Sequence, residues 1–230
     1  RLGYIATEYG YYIINYIVMY LNISPQWVMA ITSFLIVLFV FLAIKKEHFF
    51  IAIFIFVCLF YLPSMSLIRQ AIGVSIISWG VSEYLKSKKN TCFFAIIIAS
   101  FFHISMLILL PVYFVSRLGL KARPQFLIPI ILAVFFLSNE IINFLSFPFV
   151  AQSKYGFYLN SYFAEKPELG SGVGILIKIF LPLCYLVRAM HFKKIYKNHN
   201  ILAWLSFTVI AANLISINIH IFSRVADVFL

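Results

Sequence analysis

Residues 61–117 read YLPSMSLIRQAIGVSIISWGVSEYLKSKKNTCFFAIIIASFFHISMLILLPVYFVSR, and this stretch decides the fold. Its long apolar runs are broken by one arginine, Arg69, and one histidine, His103. An ionisable residue inside a membrane segment costs free energy, so it is a functional-site candidate by default. The run 91–116 has about the length of one spanning helix. Both of its flanks are basic: Lys86, Lys88 and Lys89 come before it, and Arg117, Lys121 and Arg123 after it. Basic residues stay on the cytoplasmic side of a membrane. A single span would carry one cluster outside. Two half-helices meeting near 100–105 would leave both inside. The charges favour a re-entrant hairpin with His103 at its tip over a plain span. Irregular backbone at that depth must be buried in protein or face a water-filled cavity.

Composition agrees with a membrane setting. The 230 residues are 63% hydrophobic and only 11% charged, where a soluble domain carries roughly 25% charged residues. The apolar residues come in long runs without alternation, which excludes a β-barrel. The fold class expected is all-α, a polytopic transmembrane helical bundle forming a single domain over 1–230. A net charge of +11 arises from 18 Lys and Arg against 7 Asp and Glu. These basic residues sit in short clusters between apolar runs and set topology. No nucleic-acid-binding pattern accompanies them. The three cysteines, Cys58, Cys92 and Cys184, lie in apolar runs without metal-ligand spacing, and are read as small hydrophobes. No cleavable signal peptide is visible. The abrupt ends predict a piece of a longer chain that lacks terminal helices.

Taken in order, 1–26 is a Tyr-rich interfacial segment, helical over 9–21, with Pro25 ending it or starting the next helix. Residues 27–44 cross inward to Lys45, Lys46, Glu47 and His48. Residues 49–62 return, short for a span, and Pro63 and Ser64 mark the turn. Residues 67–85 cross inward again. After the hairpin, 125–142 lead outward to a polar loop at 143–172. Residues 172–187 cross inward to Arg188, His191, Lys193, Lys194 and Lys197. Residues 201–221 cross outward. This ordering gathers four pieces of chain on the outer face: the segment with Glu8, the turn before Arg69, the Tyr-rich loop, and the end with Arg224.

Arg69, with Gln70 beside it, starts an inward helix. It either snorkels to headgroup phosphate or builds an anion site, where a guanidinium fork matches phosphate and the helix N-terminus adds positive potential. Arg224 has the matching depth, with Asp227 three residues on and His220 four residues before it. It forms a local Arg–Asp pair or a second phosphate ligand. His103 is an inter-helix hydrogen-bond partner, or a group that donates to phosphate or relays a proton. Glu8 is a carboxylate stabilising a helix start, or a general base toward a sugar hydroxyl. In the outer loop Lys154 is a phosphate contact, and Tyr155, Tyr158 and Tyr162 are sugar contacts or interface anchors. There is no HExxH, clustered Cys/His, DxD or Walker sequence, so no metal and no cofactor are expected. Arg and Lys would then have to neutralise a pyrophosphate leaving group.

IRQAIGVSIISWGVSEYLKSKK at 68–89, followed by FFHISMLILLPVYFVSR at 101–117, resembles the EpsG family of polysaccharide-biosynthesis membrane proteins, relatives of the Wzy-type O-antigen polymerases. TEYGYYIINYIV at 7–18, KYGFYLNSYF at 154–163, GSGVGILIKI at 170–179 and FSRVADVF at 222–229 are similar to other parts of that family. The resemblance implies a GT-C-like architecture in the bacterial inner membrane, with the active site facing the periplasm. It implies a polymerase that moves a growing glycan from undecaprenyl pyrophosphate to the nonreducing-end hydroxyl of another lipid-linked repeat unit. Its partners would be that lipid-linked oligosaccharide, the bilayer and a chain-length regulator, with no nucleic acid. On this reading Arg69 and Arg224 bind pyrophosphate, His103 assists, and Glu8 is the base. The rival readings are a transporter or flippase of lipid-linked sugars, an O-antigen ligase, and a membrane O-acyltransferase with His103 or His220 as base. A transporter often shows internal repeats, and none is found here.

Overall fold

The computed structural model describes residues 8–61, 64–65, 67–137, 173–192 and 199–217. The described residues are helical, with no strand among them. They fall into two compact units, Arg1–Arg117 and Leu118–Leu230.

In the first unit α1 is Tyr9–Tyr20, α2 is Gln26–Ala43, α3 is Phe49–Ile55, α4 is Ile68–Leu85, α5 is Lys89–Phe102 and α6 is Leu109–Arg117. A π-helical turn, Phe56–Tyr61, continues α3, and a 3-10 turn, Ile104–Ile108, joins α5 to α6. Pro25 caps α2. Without an N–H, proline fits where the helix has no acceptor to offer. Along α2 only Val28, Thr32, Ile36 and Val40 are buried. That four-residue step draws one narrow stripe. Outside it Phe34, Phe41 and Leu42 stand exposed. Among the described residues α2 is the one helix long and apolar enough to cross a membrane. Its 18 residues reach roughly 27 Å at 1.5 Å each.

The centre of this unit is α4, which packs on both α5 and α2. Residues Gln70 to Ile77 are buried without a break, as are Gly80, Glu83 and Tyr84. A helix buried on all sides needs partners on all sides. Parallel to it runs α2: the Phe39 and Trp79 ring centroids lie 5.7 Å apart, and Ser82 Oγ donates to the Ala43 carbonyl at 2.9 Å. Antiparallel to it runs α5, with Gly80 against Ala95 and Gly73 against the Met106 side chain. At Gly80 an added Cβ would collide with the Ala95 Cβ and approach Cys92 Cα at 3.4 Å. Gly80→Ala is therefore expected to destabilise the protein by on the order of 1–3 kcal/mol, as overpacking does. Ala95→Gly in the same chain should return most of that, less about 1 kcal/mol for the added helical glycine. Thermal unfolding in detergent checks both, and an unchanged midpoint for the single variant would show that the contact is slack.

The stretch 91–116 does not continue as one helix. Helix α5 closes with the His103 N–H donating to the Ala99 carbonyl at 3.0 Å, and His103 itself is extended, at φ −153° and ψ 112°. The Met106 N–H then donates to the His103 carbonyl at 3.0 Å and opens the 3-10 turn. Pro111, early in α6, has no N–H to give to a helix from the preceding turn. The chain doubles back. Phe93 and Tyr113 rings lie 5.8 Å apart, Arg117 Nη1 donates to Asn90 Oδ1 at 3.3 Å, and the Tyr84 and Ser116 hydroxyls share a hydrogen bond at 3.2 Å. The start of α5 and the end of α6 thus meet beside the end of α4. Lys86 and Lys88 lie at that same end, paired with Glu83 at 2.7 and 2.8 Å. At the opposite end α1 lies across the tip, with Ile14 and Val18 clustered on Val28 and Phe102.

In the second unit α7 is Pro124–Phe136, α8 is Val173–Phe192 and α9 is Asn200–Ser216. Helix α9 packs on α8 and on α7, around Ala122, Leu127, Ile131, Leu186, Ala203 and Ile210. One side chain fastens the entry to α7. The Ala122 N–H donates to Asn200 Oδ1 at 2.8 Å, and Asn200 Nδ2 donates to the Leu120 carbonyl at 2.5 Å. Trp204 Nε1 donates to the same carbonyl at 2.9 Å. The inward segment expected over 172–187 is helical from Val173 onward. Helix α8 runs on through Arg188 and His191 to Phe192. Arginine is a good helix former, so the start of a basic cluster does not stop a helix.

Candidate functional site

Three of the expected site residues come together in the first unit. Glu8 is the residue immediately before α1, yet its side chain makes no bond to the helix start. Its carboxylate turns instead to a guanidinium and an imidazole. One oxygen, Oε2, forms an ion pair with Arg69 Nη1. The other, Oε1, lies 2.6 Å from His103 Nδ1. The Glu8 side chain is 10% exposed, His103 27% and Arg69 56%. The carboxylate is therefore enclosed, while Arg69 keeps about half its surface open to a ligand.

Each residue is delivered by a different element, and the local chemistry explains each placement. Arg69 is the second residue of α4, at its N-terminal end, where unpaired N–H groups add positive potential. His103 stands in the extended break between α5 and the 3-10 turn. A ring there is carried past the end of α5 and away from its packed face. Glu8 arrives because α1 comes very close to the tip. A Cβ added at Gly10 would lie 3.0 Å from the Phe102 ring and 3.1 Å from the Phe101 carbonyl oxygen. Glycine at position 10 allows that approach, and Glu8 sits two residues before it.

Sequence reasoning missed two members of the cluster. Tyr11 lies under the Arg69 guanidinium, 5.9 Å from Cζ to the ring centroid. A cation over an aromatic face is attracted by the ring quadrupole. Gly10 is the other. The signal for Tyr11 was its spacing: it is three residues from Glu8, on the same side of a helix start. Gln70, next to Arg69 in the chain, is buried in the α4 packing. The hydroxyl oxygen of Ser105, two residues past His103, is buried with no hydrogen-bond partner among the described residues. Arg224, Asp227, His220, Lys154, Tyr155, Tyr158 and Tyr162 lie outside the described residues. Among the described residues no group of three or more His, Cys, Asp or Glu side chains is placed to hold a metal ion.

Chemically the cluster is an anion cradle with its own anion in place. A guanidinium, a helix N-terminus and an imidazole surround one carboxylate. The same donors suit a phosphate oxygen, and a carboxylate freed from them suits proton abstraction.

The model of the EpsG family matches residues 2–230. No curated protein and no solved structure matches the chain. The family match takes in both compact units and every residue of the cluster. With its apolar helices and their exposed hydrophobic faces, it leads to one conclusion: the chain belongs to the EpsG family, which is associated with polysaccharide polymerase-like membrane proteins.

Proposed function

We propose that this protein is a polymerase of lipid-linked oligosaccharides, a GT-C-like glycosyltransferase that works without a metal ion. The observation that carries the reading is the meeting of Glu8, Arg69 and His103 at the tip of the α5–α6 hairpin. In this reading the chain crosses the bacterial inner membrane several times. The basic end of α4, with Lys86, Lys88 and Arg117, faces the cytoplasm. The hairpin is re-entrant, and the Glu8 cluster opens toward the periplasm.

The donor is a glycan on undecaprenyl pyrophosphate, and the acceptor is the nonreducing-end hydroxyl of a second lipid-linked repeat unit. Donor pyrophosphate displaces the Glu8 carboxylate from Arg69. The guanidinium fork then holds a phosphate oxygen, and His103 donates to the same group. Glu8, released, takes the proton from the acceptor hydroxyl. The hydroxyl oxygen bonds to the anomeric carbon of the donor sugar. The bond from that carbon to the phosphate oxygen breaks, and the electron pair leaves with the lipid pyrophosphate. Arg69 stabilises the charge that grows there, a role for fixed donors in an enclosed site. Arg224 is proposed as a second pyrophosphate ligand. Lys154, Tyr155, Tyr158 and Tyr162 are proposed to contact substrate, as are His220 and Asp227.

Purified protein given lipid-linked repeat units in detergent is the direct test. The expected product is a ladder of polymer on a gel. Transport of the units across vesicle membranes with no new glycosidic bond would replace this reading with the flippase.

A further inference from the structure

The exposed side of α1 carries a row of tyrosines. Tyr9, Tyr12, Tyr16 and Tyr20 are each about half or more exposed. The Tyr12 and Tyr16 ring centroids are 6.3 Å apart with planes 23° from parallel, and those of Tyr16 and Tyr20 are 6.2 Å apart and 19° from parallel. Steps of three and four residues keep them on one side of the helix. They are not needed to seat α1, because Ile14 and Val18 do that against Val28 and Phe102. Nor does α1 have the usual means of holding anionic headgroups. It contains no Lys or Arg, the residues that bind amphipathic helices to anionic lipid. Its one Asn, Asn15, donates to the Tyr11 carbonyl of its own helix at 2.8 Å. Contact with lipid is available from Ile13 and Ile17, exposed beside the tyrosine row.

The row starts where the chemistry is. Tyr9 follows Glu8 directly, and Tyr11, on the neighbouring side, lies under Arg69. We propose that Tyr12, Tyr16 and Tyr20 form an oligosaccharide-binding ladder that holds glycan alongside the Glu8 end of α1. This rests on the polymerase reading above. A sugar ring has an apolar face of C–H groups, which packs on an aromatic face. The exposed row runs lengthwise along one side of α1, so one extended glycan would meet more than one rung. A glycan held there is not lost while one lipid pyrophosphate leaves and the next repeat unit enters. The ladder thus governs how many transfers follow one another, not the rate of one transfer.

Two triple variants test this in cells that depend on the protein for their polysaccharide. Tyr12→Phe, Tyr16→Phe and Tyr20→Phe together keep the ring faces. Tyr12→Leu, Tyr16→Leu and Tyr20→Leu together keep apolar contact with lipid but remove the rings. With equal protein in the membrane, the Phe triple is expected to make polymer of wild-type length. The Leu triple is expected to shorten the most abundant chain at least twofold. Wild-type length from the Leu triple overturns the ladder. Equal shortening by both triples also overturns it, because ring faces would then not be what is read. If the Leu triple does not accumulate, Tyr16→Leu alone, at the middle rung, decides the same question. Failure of the polymerase reading is a different result, the absence of polymer from purified wild-type protein.

Discussion

Arg69→Ala is expected to cut polymer formation by purified protein by about two to three orders of magnitude, the cost of losing one fixed donor to a developing oxyanion. The fold should survive, because Arg69 is 56% exposed and the α4 core begins after it. Two losses act together. The leaving pyrophosphate loses its guanidinium fork, and the enclosed Glu8 carboxylate loses its ion-pair partner. Arg69→Lys should fall between the parent and the alanine variant, since lysine keeps the charge but not the planar fork. The assay is initial rate at saturating substrate, with the membrane level of each variant as control. A rate for Arg69→Ala within a few-fold of the parent would remove Arg69 from the mechanism.

Glu8→Gln has two opposite consequences. Turnover should fall by roughly 10²–10⁴-fold, the usual loss when a general base is removed. Binding of inorganic pyrophosphate should instead tighten. In the parent protein a ligand has to displace Glu8 from Arg69, whereas the amide puts no charge in its way. At half exposure the Arg69 pair contributes at most about 1 kcal/mol, so the gain is roughly fivefold in Kd. Calorimetric titration of both proteins with pyrophosphate reads this directly. Unchanged or weaker binding by Glu8→Gln would mean that the carboxylate does not compete for the anion position, and the exchange step would have to be abandoned.

Much of this was legible in the sequence, and for identifiable reasons. Apolar runs, basic clusters and Pro25 mark α2 and α4 to within a residue or two. Equal charge on both flanks of 91–116 points to a chain that turns back, and Asn90 does meet Arg117. Keeping track of sides put Glu8 and Arg69 on one face, and the equal flanks put His103 at the tip of the hairpin. What the sequence did not carry is which atoms meet. Glu8 stands before a helix and reads as a carboxylate helping that helix start. Its actual partners are 61 and 95 residues away, brought close by a glycine whose only visible mark is a missing side chain. Tyr11 is marked only by its spacing from Glu8, a side of the helix that Tyr12 shares, until Arg69 is found above its ring. Helix α8 carries on to Phe192, because a basic residue ends a membrane run without ending a helix.

Each full crossing of a membrane reverses the side on which the next loop lies. A hairpin that returns to the end it left, as α5 and α6 do, counts as zero. On the re-entrant reading the basic flank that opens with Arg117 therefore keeps the side already held by Lys86 and Lys88. A change that straightened the chain at His103 would add one to the count and reverse every later segment, carrying those basic residues outward against the preference for cytoplasmic charge. On that reading the Asn90–Arg117 contact and the charges on the two flanks protect the same parity.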